Sequence, residues 1–252
     1  MRKTAFITGA SSGFGKAIAE KFAAAEYQLI ISGRRKDRLS ELSEKLQREF
    51  KTPVHITAFD ISKKEEVWKA VELIPAEFQY VDVLVNNAGL ALGRDYFDEA
   101  LIEDWEIMID TNIKGLLYIT KAVLPKMIEK SAGHIINIGS ISGKEVYEKG
   151  NVYCGTKHAV NALSEAMRID LLKHKIKVTA IHPGAANTEF SNVRFKGNQQ
   201  LADNVYKGYQ PLEAEDIADI VLYCASLPER VVINDLVVTA LAQANSFYLF
   251  KE

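Results

Sequence analysis

Short runs of almost unbroken apolar residues alternate along the chain with longer stretches in which apolar positions recur every three or four residues. The first pattern suits strands buried on both faces and the second suits helices with one buried stripe, so the alternation predicts a βαβ chain. Strands are expected at 4–8, 28–32, 54–59, 83–86, 134–139, 177–182 and 236–239. Helices are expected at 13–25, 37–50, 63–74, 103–130, 152–173 and 214–226. Ser62 and Glu65 have the spacing of a capping box ahead of the third helix. Pro125, well inside the fourth, predicts a kink or a local end, because proline removes a backbone donor.

No Pro/Gly/Ser linker, internal repeat or low-complexity tract divides this pattern. The expected architecture is therefore one domain over 1–252, of the α/β class. It is a Rossmann-type doubly wound fold with a seven-stranded parallel sheet flanked by helices. The segment 187–210 differs in character: it is polar, contains two glycines and precedes the last helix, which suits a mobile lid over a site.

Composition narrows the partners. With 252 residues, 48% apolar and 25% charged, the chain is long enough to bury a full core. A formal charge of -2 gives no electrostatic case for nucleic acid or an anionic membrane. No stretch reaches the roughly 18 apolar residues of a membrane span, and the start MRKTAFITG leads into a glycine turn rather than a signal core. Two cysteines, Cys154 and Cys224, without metal-ligand spacing suit a reducing compartment, and the cytoplasm is expected. The five histidines, at 55, 134, 158, 174 and 182, form no HxH or HExxH pattern, so no metal site is expected and they read as structural or surface residues.

Candidate chemistry begins at TGASSGFG, residues 8–15, which follows a strand and opens a helix. Gly9 permits the turn, Gly13 lets backbone amides approach a pyrophosphate, and Gly15 allows close packing of helix on strand. The helix amino end then attracts the anion through its free N–H groups. At the end of the second strand the chain reads Ser32, Gly33, Arg34, Arg35. No carboxylate stands there to take ribose hydroxyls, and two guanidiniums can pair with a 2'-phosphate, so NADP(H) is expected over NAD(H). Tyr153 and Lys157, four apart on one side of a helix, follow Ser140 and point to hydride transfer on an alcohol or carbonyl. A lysine ammonium beside the phenol is expected to lower its pKa.

In this order and spacing the set resembles the short-chain dehydrogenase/reductase family over nearly the whole chain. The motifs are TGASSGFG at 8–15, Asp60 after the third strand, NNAG at 86–89, Asn112, Ser140, Tyr153-x-x-x-Lys157, and Pro183-Gly184 followed by Thr188. LVNNAGLALG at 84–93, EDWEIMIDTN at 103–112 and TEFSNVRFKG at 188–197 are similar to stretches of one branch, the NADP-dependent serine and 3-hydroxy acid dehydrogenases.

The resemblance implies roles. Ser140 would polarise the substrate oxygen, Tyr153 would exchange the proton, Lys157 would hold ribose hydroxyls and stabilise tyrosinate, and Asn112 would relay protons through water. Ser11, Ser12 and Phe14 would join the three glycines at the phosphates. Asp60 and Ile61 would flank the adenine; Asn87, Ala88 and Gly89 would line the adenosine ribose; Pro183, Gly184 and Thr188 complete the cofactor set. The implied reaction is oxidation of the C3 hydroxyl of a short acid (serine, allo-threonine or 3-hydroxypropionate), or reduction of a malonic-semialdehyde type of carbonyl. A homotetramer is implied as well, with the helices at 103–130 and 152–173 as contact surfaces. Arg194, in the lid, is a candidate anchor for the substrate carboxylate, alongside Ser140 and Tyr153; the plainer reading is a solvated arginine. A 3-oxoacyl thioester or general carbonyl reductase of the same family is the alternative, and a non-catalytic NADP(H) sensor is the rival of another class.

Overall fold

Alternate residues of β1 (Thr4–Ile7) leave the sheet on opposite sides: Ala5 and Ile7 enter one apolar core and Phe6 the other. A strand covered on both faces has no place for polar alternation, which explains the continuous apolar runs. In the computed structural model, which describes residues 2–252, β1 is joined by β2 (Gln28–Gly33), β3 (Val54–Ala58), β4 (Val83–Asn86), β5 (Gly133–Ile138), β6 (Ile176–Pro183) and β7 (Asp235–Val238). All pairings are parallel, and the strand order is β3-β2-β1-β4-β5-β6-β7.

The helices are α1 (Gly13–Ala24), α2 (Lys36–Phe50), α3 (Lys64–Glu72), α4 (Ile102–Ile109), α5 (Leu116–Lys130), α6 (Asn151–Asp170), α7 (Phe190–Arg194), α8 (Gln199–Asn204) and α9 (Ala214–Ser226). On one face α1, α2 and α9 bury Ile18, Leu39, Leu46 and Val221 against the sheet. On the other, α3 and α5 bury Val67, Ile119, Val123 and Met127. From β1 the chain winds outward to β2 and β3, then returns to β4 on the far side. That reversal opens a crevice at the carboxyl ends of the central strands, where ligands of such sheets bind. In a third cluster Leu90 and Tyr153, which line this crevice, pack with Ala91 and Met108.

Three expectations need correction. The helix expected over 103–130 is two helices, because a π-helical turn at Asp110–Gly115 separates α4 from α5. Of the kink or local end expected at Pro125, the local end does not occur, since α5 runs on to Lys130. Proline offers no N–H to the Lys121 carbonyl, and both residues are exposed, so the helix continues at a solvent-facing position. The Ser62–Glu65 capping box does not form: α3 starts at Lys64, and Ser62 donates its N–H and hydroxyl to Asp60 Oδ1 at 2.9 and 2.8 Å. A capping box stands instead at α9, between Glu213 and Asp216. The polar segment 187–210 holds two short helices, α7 and α8, bracketed by a bridge between Ala186 and Leu212.

Two glycines on these helices should respond in opposite directions to alanine. A Cβ at Gly15 would lie 2.3 Å from the Gly9 carbonyl oxygen, so Gly15→Ala is expected to destabilise by roughly 1–3 kcal/mol. At Gly155, inside α6, a Cβ meets nothing within 4 Å, and Gly155→Ala should stabilise by roughly 0.5–1 kcal/mol. Denaturant midpoints at constant slope check both signs.

Candidate active site

The turn from β1 into α1 is built by glycine and by one asparagine. Gly9 and Gly13 have φ of +67° and +50°, in the left-handed region that glycine enters without strain. Asn87, just past β4, donates its side-chain amide to the carbonyls of Thr8 at 2.8 Å and Gly9 at 3.3 Å. Thr8 Oγ1 accepts from the N–H groups of Asn87 and Ala88, both at 3.0 Å. The turn is thereby fastened to the carboxyl end of β4. Ser12 precedes α1 without capping it, which leaves the helix amino end to a ligand. Ser11, Ser12, Gly13 and Phe14 face a cleft of about 670 Å³ that runs along the strand ends.

At one end of the cleft lie the expected phosphate-reading arginines. Arg35 donates to Ser11 Oγ at 3.1 Å and to Ser12 Oγ at 2.8 Å, and it pairs with Glu189, just before α7, at 2.9 Å. Arg38, on the first turn of α2, pairs with the same carboxylate. Burial favours the neutral acid, yet bonds from Arg38, Arg35 and Ser12 hold the Glu189 carboxyl below its ordinary pKa. Arg34 lines the cleft with its side chain exposed. Asp60 and Ile61 form part of the wall beside it. The Asp60 carboxyl is held below its ordinary value because the two bonds from Ser62 outweigh its burial. Asn87, Ala88 and Gly89 continue the wall toward the centre.

At the other end Ser140, Tyr153 and Lys157 converge, each less than a tenth exposed. Ser140, the residue after Gly139 at the end of β5, donates its hydroxyl to Ser142 Oγ at 3.1 Å. Lys157 donates to the Ile138 carbonyl at 3.0 Å, and no carboxylate pairs with it among the described residues. Burial alone pushes its pKa down to about 8. The phenol of Tyr153 behaves opposite to expectation. Burial pushes its pKa above the ordinary value of about 10, Tyr147 adds to this, and Ser140 and Arg194 only partly offset it. Lys157 Nζ stands 6.0 Å from the Tyr153 ring centroid and is turned to a backbone carbonyl, too remote to reverse the burial effect.

Asn112 sits in the π-helical turn and is buried. Its amide donates to the Leu90 carbonyl at 2.8 Å and to Thr156 Oγ1 at 3.1 Å, while its oxygen accepts from Leu90 N–H at 2.8 Å. A Cβ on Gly89 would lie 3.2 Å from Asn112 Oδ1 and 3.6 Å from Lys157 Nζ, which places the three residues side by side. Gly184 is tied to β7 through Val238 at 2.7 Å, and Pro183, Gly184 and Thr188 line the cleft. The Thr188 side chain closes over Gly13, 3.4 Å from where a Cβ would stand.

The segment 187–210 meets this end through Arg194, whose guanidinium lies 5.4 Å over the Tyr153 ring and 5.5 Å over that of Tyr147. Its Nε donates to the Gly93 carbonyl at 3.3 Å, and Lys196 pairs with Asp104 at 2.8 Å, so this segment is fastened to the loop before α4 and to α4 itself. Four residues of the site escaped the sequence reading: Arg38, Glu189, Arg94 and Tyr147. Arg38 had a signal, since Arg35 and Arg38 are three apart on the first turn of a helix and share a face. Glu189, Arg94 and Tyr147 lie outside regular periodicity and have none.

The family profile described as short chain dehydrogenase matches residues 3–199. The chain is 41% identical to an NADP-dependent 3-hydroxy acid dehydrogenase of Schizosaccharomyces pombe, over 99% of this chain and 97% of that one. It is 42% identical to a serine 3-dehydrogenase of Rhizobium radiobacter, over the full length of both. Among solved structures, the closed form of serine dehydrogenase complexed with NADP+ superposes with a TM-score of 0.92 at 41% identity, covering 99% of each chain. With the glycine turn, the strand order and the Ser/Tyr/Lys cluster in one cleft, these likenesses settle the family: the chain belongs to the short-chain dehydrogenases.

Proposed function

We propose that the protein moves hydride between NADP(H) and the C3 hydroxyl or carbonyl of a short 3-hydroxy acid. The observation that carries this reading is the convergence of Ser140, Tyr153 and Lys157 with Arg194 at one end of a cleft whose other end holds the glycine turn and Arg35. The residues fit the cofactor. Gly9 and Gly13 adopt positive φ, Gly15 has no space for a side chain, and Arg34, Arg35 and Arg38 supply the cations that a 2'-phosphate requires. When bound, NADPH supplies the hydride and NADP+ accepts it.

Ser140 donates to the substrate oxygen and stabilises the charge that grows there. Tyr153, held as the neutral phenol by its burial, delivers a proton in reduction; in oxidation its tyrosinate form takes the proton from the substrate hydroxyl. Lys157, next to Gly89 and Asn112, binds ribose hydroxyls and steadies tyrosinate when it forms. Asn112 holds the π-helical turn against Leu90 and lies at the lysine, where it can pass a proton on through water. Arg194 anchors the carboxylate of the acid over the Tyr153 and Tyr147 rings, and Arg94, 6.0 Å from the Tyr147 ring, adds a second positive charge. A relative named sulfoacetaldehyde reductase 2, 42% identical and from Chromohalobacter salexigens, is named for another small anionic carbonyl, in keeping with a cationic pocket. Exposed Ile102, Ile107, Leu117 and Ile169 on α4, α5 and α6 support a homotetramer assembled on those helices.

Four outcomes are expected. Assayed by NADPH absorbance, the protein should turn over serine, 3-hydroxypropionate or 3-hydroxyisobutyrate, and Arg194→Ala should raise KM for the acids by at least ten-fold (roughly 1.5 kcal/mol for a charge-assisted contact) while sparing a neutral secondary alcohol. Turnover confined to acyl thioesters or bulky alcohols would overturn the substrate and leave the family untouched. Replacing Arg34 and Arg35 together by alanine should raise KM for NADP about ten-fold or more and leave KM for NAD nearly unchanged; equal effects would remove both from 2'-phosphate recognition. Because oxidation needs the tyrosinate, whose pKa burial raises, kcat/KM for oxidation should climb from pH 7 to pH 9, and that for reduction should not. Lys157→Met should displace the oxidation limb to higher pH, since the cation that favours tyrosinate is gone.

A further inference from the structure

His182 lies on β6 immediately before Pro183 and is fully buried. Its Nδ1 is 3.2 Å from the backbone carbonyl of Ser140, and its Nε2 is 3.0 Å from Asp235 Oδ2. Asp235 opens β7 and also receives the Lys144 ammonium at 2.7 Å; Lys144 donates in turn to Asn161 of α6 at 2.6 Å. The groups facing the ring are thus one backbone carbonyl from the end of β5, one carboxylate from β7, and one ammonium beyond that carboxylate. Gly139 leaves room for the ring, since a Cβ there would lie 2.5 Å from His182 Nδ1.

Carboxylate, imidazole and serine in line have the look of a nucleophilic triad, but the geometry excludes one. A base needs a lone pair directed at the serine hydroxyl. Here the ring faces the Ser140 carbonyl, while the Ser140 hydroxyl is turned toward Ser142. Both neighbours of the ring are acceptors: a carbonyl and a carboxylate. A neutral imidazole has one N–H for the two of them, so meeting both takes the imidazolium.

We propose that His182 is a positioning residue: doubly protonated, it ties the Ser140 carbonyl to the Asp235 carboxylate and fixes the backbone from which the Ser140 hydroxyl is aimed at the substrate. Burial and Lys144 oppose the second proton, Asp235 favours it, and the net pKa lies below that of a free imidazole. The Ser140 carbonyl also accepts from Gly143 N–H at 2.8 Å at every pH; the second tie, from His182, is complete in acid and is lost as pH rises through that value, when the one remaining ring proton stays with the Asp235 carboxylate. This inference rests on the reading that Ser140 polarises the substrate oxygen.

The test is kcat for carbonyl reduction between pH 5 and 8, with NADPH affinity measured by fluorescence and folding checked by thermal melting. Wild type should show a fall in kcat with a midpoint below about 6.5, the ordinary imidazole value. In His182→Asn the amide can donate to the Ser140 carbonyl at every pH, so that limb should vanish. His182→Leu should lose kcat about ten-fold, with NADPH affinity kept, and His182→Asn should restore part of that loss. Ser140→Ala alone tests the underlying reading, which fails if kcat is kept. In the Ser140→Ala background, His182→Leu should bring no further loss. A ten-fold loss that persists there, a flat wild-type profile, or the same limb in His182→Asn overturns the proposal.

Discussion

The close approach of the Gly9 carbonyl to Gly15 is the contact on which the arrangement depends. It lets α1 start against the end of β1, and Asn87 then locks the turn to β4 through the Thr8 and Gly9 carbonyls. One contact therefore joins a helix amino end, the central strand and the first strand of the second half of the sheet. A side chain at Gly15 would lift the helix away from the strand, and one at Gly9 would press on Asn87 and Ala88. The amides that face a pyrophosphate and the wall formed by Ala88 and Gly89 would then part company.

At the reacting end, burial governs behaviour. Tyr153 and Lys157 are withdrawn from water without an ion-pair partner, and burial drives both toward their neutral forms, the phenol upward and the amine downward. Neutral phenol is the form that donates a proton, and a lysine with its pKa near 8 changes charge readily when an anion forms beside it. Arg194, tied to the Gly93 carbonyl, places a fixed cation over the same ring. The site thus balances strong burial against a charge supplied from the lid.

Much of this was legible in the sequence, for identifiable reasons. Strands buried on both faces give unbroken apolar runs, and the glycine turn has little freedom once strand and helix flank it, so the sheet and the phosphate end could be read directly. Ser140, Tyr153, Lys157 and Asn112 were placed by the family resemblance; the first three line one cleft, and Asn112 is buried next to Gly89 and Lys157. What could not be read were effects of burial and of contacts between distant segments. The pKa direction of Tyr153 depends on how deeply the ring is buried. Glu189 meets Arg35 and Arg38 across more than 150 positions of chain, and no local pattern announces that pairing. Ser62 and Glu65 had the right spacing, but Asp60 took the serine first.

The π-helical turn at Asp110–Gly115 sets the angular phase between α4 and α5. Each residue of an α-helix advances the chain by about 100°, so one extra residue in the turn rotates all of α4 by that amount relative to α5. With the extra residue, α5 buries Ile119 and Val123 under the sheet, while α4 turns Asp104 to Lys196 and Met108 into the cluster with Leu90 and Tyr153. A regular helix through the same residues would have to give up one of these two faces. Insertion or deletion of one residue here would therefore change which way α4 looks without disturbing the sheet, making the turn a place where lineages can re-aim a lid contact while keeping the same core.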